Sequence, residues 1–152
     1  MKRRDFIFNI SLLIFLNLLI KPFWILGIDV EVQNQVGAES YGLYFALFNF
    51  TILFNMLLDM GITNYNSRNI AQNTQLLSKH LSHILTLKFS LGILYFIVTL
   101  IAALIVGYQG YQLKLLLWMS LNQFLNALIL YLRSNVSALL KFKTDSFLSV
   151  ID

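Results

Sequence analysis

Polar side chains stand at helical spacing inside long apolar runs of this sequence. In the first run, Asn17, Lys21 and Trp24 are spaced i, i+4 and i+7, so they would share one face of a helix. A lysine at the centre of a membrane helix costs roughly 2.5–3.5 kcal/mol on an insertion scale, so its ammonium must reach water or a polar partner. On such a face the ammonium would attract an anionic group.

Two interpretations of Lys21 stay open. In one, its ammonium extends to the outer membrane interface, where Trp24 would join an aromatic belt. In the other, it faces a water-filled interior. Pro22 favours the second interpretation, because proline cannot donate a hydrogen bond to the carbonyl of residue 18. The helix should bend there and leave a carbonyl that needs a polar partner.

Two further apolar runs carry polar residues at every fourth position. Each stripe should face protein or water, and the asparagines fit either a polar cavity or hydrogen bonds between helices. An acid near the carboxyl end of a helix opposes the helix dipole, so Asp59 should have a basic partner, for which Arg68 is the nearest candidate. Gly61 predicts a helix stop. The stripes consist of Thr51, Asn55 and Asp59, and of Trp118, Asn122 and Asn126.

The composition indicates which elements position these stripes. Of the 152 residues 58% are hydrophobic and 12% are charged, whereas a soluble domain has roughly a quarter of its residues charged. Four apolar segments are each near the roughly 20 residues that cross a bilayer as a helix. They predict an all-α integral membrane protein with four transmembrane helices. These span approximately residues 6–28, 41–62, 84–106 and 115–132, and a short amphipathic helix is expected on the inner surface within 63–80.

The positions of lysine and arginine predict the orientation. The bases cluster before the first helix, between the second and third, and after the fourth, whereas the opposite loops carry acids and Lys114 alone. The positive-inside bias therefore places both termini in the cytoplasm. The net charge of +4 is explained by this topology, so no nucleic-acid partner is expected.

Catalytic and metal chemistry have little support. The chain has no cysteine, and His80 and His83 lie one helical turn apart with no acid nearby to complete a ligand set. Neither a nucleophile motif nor a phosphate-binding glycine loop is found. We therefore expect no metal, no cofactor and no enzymatic activity.

Residues 36–72, VGAESYGLYFALFNFTILFNMLLDMGITNYNSRNIAQ, resemble the second helix and following loop of bacterial oligosaccharide flippases. These flippases belong to the multidrug/oligosaccharidyl-lipid/polysaccharide exporter superfamily. The segments KPFWILGIDVEVQ and YLRSNVSALLKFKTDSFLSVID extend the resemblance over most of the chain. The matching positions are Gly37, Glu39, Tyr41, Gly42, Tyr44, Leu57, Asp59, Gly61 and Arg68.

The resemblance implies a transporter of twelve to fourteen helices in two bundles around a central cavity. Such proteins move undecaprenyl-pyrophosphate-linked sugars across the inner membrane during lipopolysaccharide, O-antigen or other polysaccharide synthesis. This chain would then be an amino-terminal portion, contributing four helices of the first bundle. Within it, Lys21 would anchor the pyrophosphate, and Asp59 with Arg68 would form a gate or a structural latch. Asn17, Asn55, Asn122 and Asn126 would face the cavity.

One alternative function comes from another class. A four-helix membrane subunit could assemble with a polysaccharide polymerase or glycosyltransferase, or stabilise it, without transporting anything itself. In both alternatives the protein is embedded in the bilayer, and they differ in whether it binds lipid-linked oligosaccharide.

Overall fold

The computed structural model of the chain describes residues 11, 14, 15 and 17–139, except for the side chains of residues 76, 78 and 79. All regular structure in this part of the chain is helical. Residues 17–23 form a short helical stretch that continues into a π-helical segment, Trp24–Asp29, and then into α1, Val30–Val36. Gly37, with φ of 87°, separates α1 from α2, Ala38–Leu53. The remaining elements are a 3₁₀ turn Asn55–Leu58, α3 at Ile62–Gln72, a second 3₁₀ turn Thr74–Leu76, α4 at Leu77–Val106 and α5 at Tyr111–Ala138.

The all-helical prediction is confirmed for these residues, which contain two or three candidate spans, whereas the prediction of four stays a prediction. Two helices are long and apolar enough to cross a membrane, namely α5 and the His80–Val106 part of α4. A third span exists if α2 and the segment Asn55–Gln72, which are bent by 49° relative to each other, count as one. The predicted first helix, residues 6–28, lies partly outside the described residues.

The predicted second helix, residues 41–62, is broken. The α-helix ends at Leu53, and the chain passes through the 3₁₀ turn before Met60 and Gly61 adopt positive φ angles of 45° and 81°. A left-handed residue cannot continue a right-handed helix, so a new helix starts at Ile62. Gly61 was predicted to stop the helix, but the helix has already ended at Leu53, and Gly61 instead directly precedes the next helix. We call residues 54–61 the helix break.

The segment predicted to form an amphipathic helix on the inner membrane surface contacts the other helices of the bundle. Its residues build α3, which packs against the carboxyl-terminal half of α5 with Asn66 and Ile70 fully buried. The mild amphipathicity of the segment therefore marks a face that contacts protein. On that face the buried Asn66 is hydrogen-bonded to Asn135. The position of this helix relative to the membrane surface stays a prediction.

Two hydrophobic clusters hold α2, α4 and α5 together. One contains Leu47, Ala103, Leu116 and Met119, and lies towards the loop that joins α4 to α5. The other contains Leu58, Tyr95, Phe124 and Ala127 beside the helix break. At the second cluster the α4 backbone closely approaches α5, because a Cβ added at Gly92 would stand 2.4 Å from the ring of Phe124.

Candidate functional site

A buried lysine lies beside the helix break. Lys88 lies about three turns into α4, and only 2% of its side chain is exposed. Its ammonium forms an ion pair with Asp59 Oδ1. Lys88 Nζ also donates to the carbonyl oxygen of Leu58 at 3.3 Å and to Oγ1 of Thr63 at 3.1 Å. The three donor hydrogens of the ammonium therefore have three acceptors, as a buried charge requires.

Asp59 sits where the dipole of α3 favours an anion. Its Oδ1 accepts hydrogen bonds from the hydroxyl of Thr63 and, at 3.3 Å, from the backbone N–H of Thr63 in the first turn of α3. The prediction placed Asp59 at the carboxyl end of a continuous helix, where the dipole would oppose it. Because the α-helix ends at Leu53, the α-helix end nearest to Asp59 is instead the amino terminus at Ile62, which stabilises a carboxylate.

The ion partner of Asp59 is also different from the predicted one. Lys88 forms the ion pair, and among the described residues no ion pair joins Asp59 to Arg68. Arg68 lies on α3, is exposed, and is more than two turns beyond Asp59 along the chain. Lys88 reaches the carboxylate because α4 packs directly against the 3₁₀ turn of the break.

A second side chain of α4 contacts the other side of the break. The hydroxyl of Tyr95, which is fully buried, donates to the carbonyl oxygen of Thr51 at 3.1 Å. Tyr95 and Lys88 are seven residues apart and therefore lie on the same face of α4. One bonds a carbonyl in the last turn of α2 and the other bonds the carbonyl of Leu58. This face of α4 supplies donors to carbonyls where the regular helical ladder stops.

Predicted polar residues from two different helices meet at this site. A cleft of about 470 Å³ is lined by Asn55, Asp59, Lys88 and Asn126, together with Thr63, Asn64 and apolar neighbours. Asn55 and Asp59 come from the break, whereas Asn126 comes from α5. We call it the break cleft. The side chain of Asp59 is 36% exposed and that of Lys88 is 2% exposed, so Asp59 is the more accessible member of the ion pair.

The other predicted site residues lie elsewhere. Asn122 and Trp118 line a neighbouring, open groove on the outside of α5, which Asn126 also borders. Lys21 and Pro22 are exposed on the first helical segment, and Asn17 beside them is half-buried. The helix continues through Pro22, a π-helical segment, Trp24–Asp29, begins two residues later, and the bend expected at Pro22 stays a prediction. The cavity-facing role of Lys21 and Asn17 stays a prediction.

Sequence reasoning counted Lys88 only as a topology signal. Two features of the sequence point to it: it is a lysine within a long apolar run, and Lys88, Tyr95 and Thr99 are spaced i, i+7 and i+11 on one helix face. The energetic argument applied to Lys21 holds equally for Lys88, because any ammonium inside a membrane helix needs a partner. Applied to both lysines, that argument would have predicted a partner for Lys88.

The site can hold opposite charges in a low-dielectric interior, where they attract strongly. In the described part of the chain, no three His, Cys, Asp or Glu side chains are grouped to hold a metal ion. No protein-family model, curated protein or solved structure matches this sequence. What the site does must therefore be argued from its residues.

Proposed function

We propose that this chain takes part in moving undecaprenyl-pyrophosphate-linked oligosaccharides across the bacterial inner membrane, as part of the amino-terminal bundle of a larger flippase. The observation that carries the proposal is the Asp59–Lys88 ion pair at a break between two helices. Ionisable groups within membrane helices are costly and usually mark transport pathways. Broken helices at membrane depth are tolerated where they line a cavity, and transporters use them for binding sites.

The break cleft supports transport in a second way. Its carboxamides and its partly exposed carboxylate give a polar wall on a bundle whose other outward surfaces are mainly apolar. Facing lipid, such a wall would have no hydrogen-bonding partners. In a two-bundle transporter it would face the central cavity, where water and the sugar hydroxyls of a substrate can bond it.

Lys21 keeps its role as an anion anchor within this proposal. Its exposed position leaves the ammonium accessible to a group outside the described bundle. A pyrophosphate carries several negative charges and would be attracted to a lysine in a poorly screened environment. Arg68, exposed on α3, would then be a surface cation, and Lys88 takes the place proposed for it beside Asp59.

A second candidate function is a membrane subunit that assembles with glycan-synthesis enzymes. One observation favours it: Asn122 and Asn126 are exposed on the outside of α5, between apolar residues. Amides at membrane depth associate with polar groups on neighbouring helices. In the flippase these neighbours would belong to the same transporter, and in the subunit they would belong to a polymerase or glycosyltransferase.

The test of flipping uses the protein with any further helices that its reading frame encodes, in proteoliposomes containing a fluorescent lipid-linked oligosaccharide. The double variant Asp59→Asn/Lys88→Met removes both charges without leaving one unpaired. We expect at least a tenfold slower transfer between leaflets, at unchanged folded amount. The matched control is Lys114→Gln, because Lys114 is an exposed lysine outside the break cleft. Transfer at the wild-type rate in the double variant would contradict a transport role for the pair.

The anchor role of Lys21 is tested in the same assay. Lys21→Ala should slow transfer of the pyrophosphate-linked lipid and leave transfer of an uncharged polyprenol analogue unchanged. Equal rates for Lys21→Ala and wild type would remove the role. Absence of any transfer by the wild-type protein, together with co-purification of a glycosyltransferase or polymerase, would favour the subunit.

A further inference from the structure

A second cavity lies between the first helical segment and the beginnings of α2 and α5. Its volume is about 430 Å³. Four aromatic side chains line it, and so does the carboxylate of Asp29. The aromatic residues are Trp24, Tyr41, Tyr44 and Tyr111. We call it the aromatic pocket. It shares no lining residue with the break cleft and has no part in the function proposed above.

The carboxylate of Asp29 is only half-exposed and has no basic partner among the described side chains. The hydroxyl of Tyr41 donates to both of its oxygens, at 3.0 and 3.1 Å. Within residues 17–139 the only ion pair is that of Asp59 with Lys88, so Asp29 has no cationic partner there. None of the residues that line the pocket is basic. A single neutral donor leaves most of the negative charge uncompensated.

Aromatic rings from three elements line the pocket beside this carboxylate. Tyr41 and Tyr44 stand with ring centroids 5.9 Å apart, and Trp24 and Tyr111 come from two other elements. The face of an aromatic ring carries negative potential and attracts cations within about 6 Å. A pocket that combines a carboxylate with aromatic rings therefore favours an organic cation over an anion or a neutral group. The apolar lining from Ile28, Val32 and Leu115 suits carbon substituents better than a hydrated metal ion.

We propose that the aromatic pocket binds an alkylammonium group, with the nitrogen against Asp29 and its carbon substituents against the rings. Two sources can supply this chemistry. One is the ethanolamine or choline headgroup of a membrane lipid, whose chains would follow the apolar lining. The other is a free alkylamine or quaternary ammonium compound.

The experiment uses the intrinsic fluorescence of Trp24 in the full chain. The protein has two tryptophans, and a Trp118→Phe background leaves Trp24 as the sole reporter. The protein is placed in nanodiscs of anionic phosphatidylglycerol and titrated with tetramethylammonium chloride, with sodium chloride as the control for ionic strength. We expect a saturable change of emission with tetramethylammonium that sodium does not produce.

Variants test the assignment of the residues. Asp29→Asn should weaken binding by about tenfold or more, since the ionic contact is lost. Glu31→Gln is the matched control, because this exposed acid two residues away does not line the pocket, and it should bind like the parent. Tyr111 is 71% exposed, so Tyr111→Leu leaves the core intact and should weaken binding several-fold through the lost ring.

The lipid composition distinguishes the two sources. If a headgroup occupies the pocket, phosphatidylcholine nanodiscs will show the shifted emission from the start, and tetramethylammonium will add nothing. If a free compound is the ligand, the titration will be the same in both lipids. Either result supports the proposal. It is overturned by an equal response in Asp29→Asn, by no response in both lipids, or by a response to glucose that matches the response to tetramethylammonium.

Discussion

The backbone N–H and C=O groups of the broken segment Ala38–Gln72 and of the unbroken helix α4 find hydrogen-bond partners in different ways. Over its 30 residues, α4 makes one continuous ladder of hydrogen bonds. The chain from Ala38 to Gln72 interrupts its ladder at residues 54–61 and bends by 49°. In a water-free environment an interrupted ladder must find other partners, and here the unbroken helix provides them through Lys88 and Tyr95. Helix α4 thus stabilises the helix break, and the Asp59–Lys88 ion pair lies at the contact between them.

The first prediction removes one charge from the contact and should have the largest effect. Asp59→Asn leaves the ammonium of Lys88, which is 2% exposed, without its counter-charge. We expect the free energy of unfolding to fall by about 3–5 kcal/mol, as for other buried ion pairs that lose one partner. The measurement is reversible unfolding in mixed micelles followed by circular dichroism.

Two companion variants decide whether the unpaired charge is the cause. The double variant Asp59→Asn/Lys88→Met should recover most of the lost stability, because no charge remains unpaired. Glu39→Gln, at an exposed carboxylate in the first turn of α2, should change stability by less than about 0.5 kcal/mol. If Asp59→Asn costs no more than Glu39→Gln, the unbroken helix does not support the break through charge.

The second prediction concerns the backbone of the break itself. Gly61 has φ of 81° and open space where a Cβ would lie, so Gly61→Ala meets backbone strain without a steric clash. We expect a loss of about 1–2 kcal/mol in the same unfolding measurement. At the neighbouring position, Met60→Gly relieves the strain of the positive φ angle but increases the conformational entropy of the unfolded chain. These effects oppose each other, so the free energy of unfolding should change by less than about 1 kcal/mol. Equal losses for both changes would show that the left-handed conformation is not what matters.

The third prediction compares glycines in two regular helices. In α4, a Cβ at Gly92 would lie 2.4 and 2.7 Å from two atoms of the Phe124 ring, whereas a Cβ at Gly42 in α2 meets nothing within 4 Å. Gly92→Ala should therefore lose about 1 kcal/mol net, overpacking outweighing the gain in helix propensity. Gly42→Ala should gain up to about 1 kcal/mol. A gain in both would mean that the Phe124 ring moves aside freely.

The sequence predicted the helical character and the approximate positions of α4 and α5 well, because long apolar runs have few structural solutions in a membrane. It also predicted that Asp59 needs a base. It failed to find which base, since that depends on the break. A straight helix would carry Asp59 to its carboxyl end, towards Arg68, whereas the break turns residue 59 towards α4 and Lys88.

The polar stripes show the same limit. Asn55 and Asp59 were grouped by a period of four residues, and Asn126 by the same period on another helix; all three line the break cleft. The spacing therefore identified residues of the site. It could not show that Asn122, in the same stripe as Asn126, borders a separate open groove, because which face of α5 is covered depends on the neighbouring helices.

The last prediction measures a contact without charge, where α3 beyond the break meets α5. Asn66 Nδ2 donates to Asn135 Oδ1 at 2.7 Å, and both side chains are buried. Hydrogen bonds between membrane helices contribute about 0.6 kcal/mol on average, because the separated helices also find partners. A double-mutant cycle with Asn66→Ala and Asn135→Ala should give a coupling energy of that size, several-fold below the effect of Asp59→Asn. Asn122→Ala, at an exposed amide on α5, should show no coupling with Asn66→Ala. The coupling energy of Asn66 and Asn135 could instead equal the loss of stability caused by Asp59→Asn. The hydrogen bond between α3 and α5 would then stabilise the protein as much as the ion pair at the helix break does, which contradicts the expected difference.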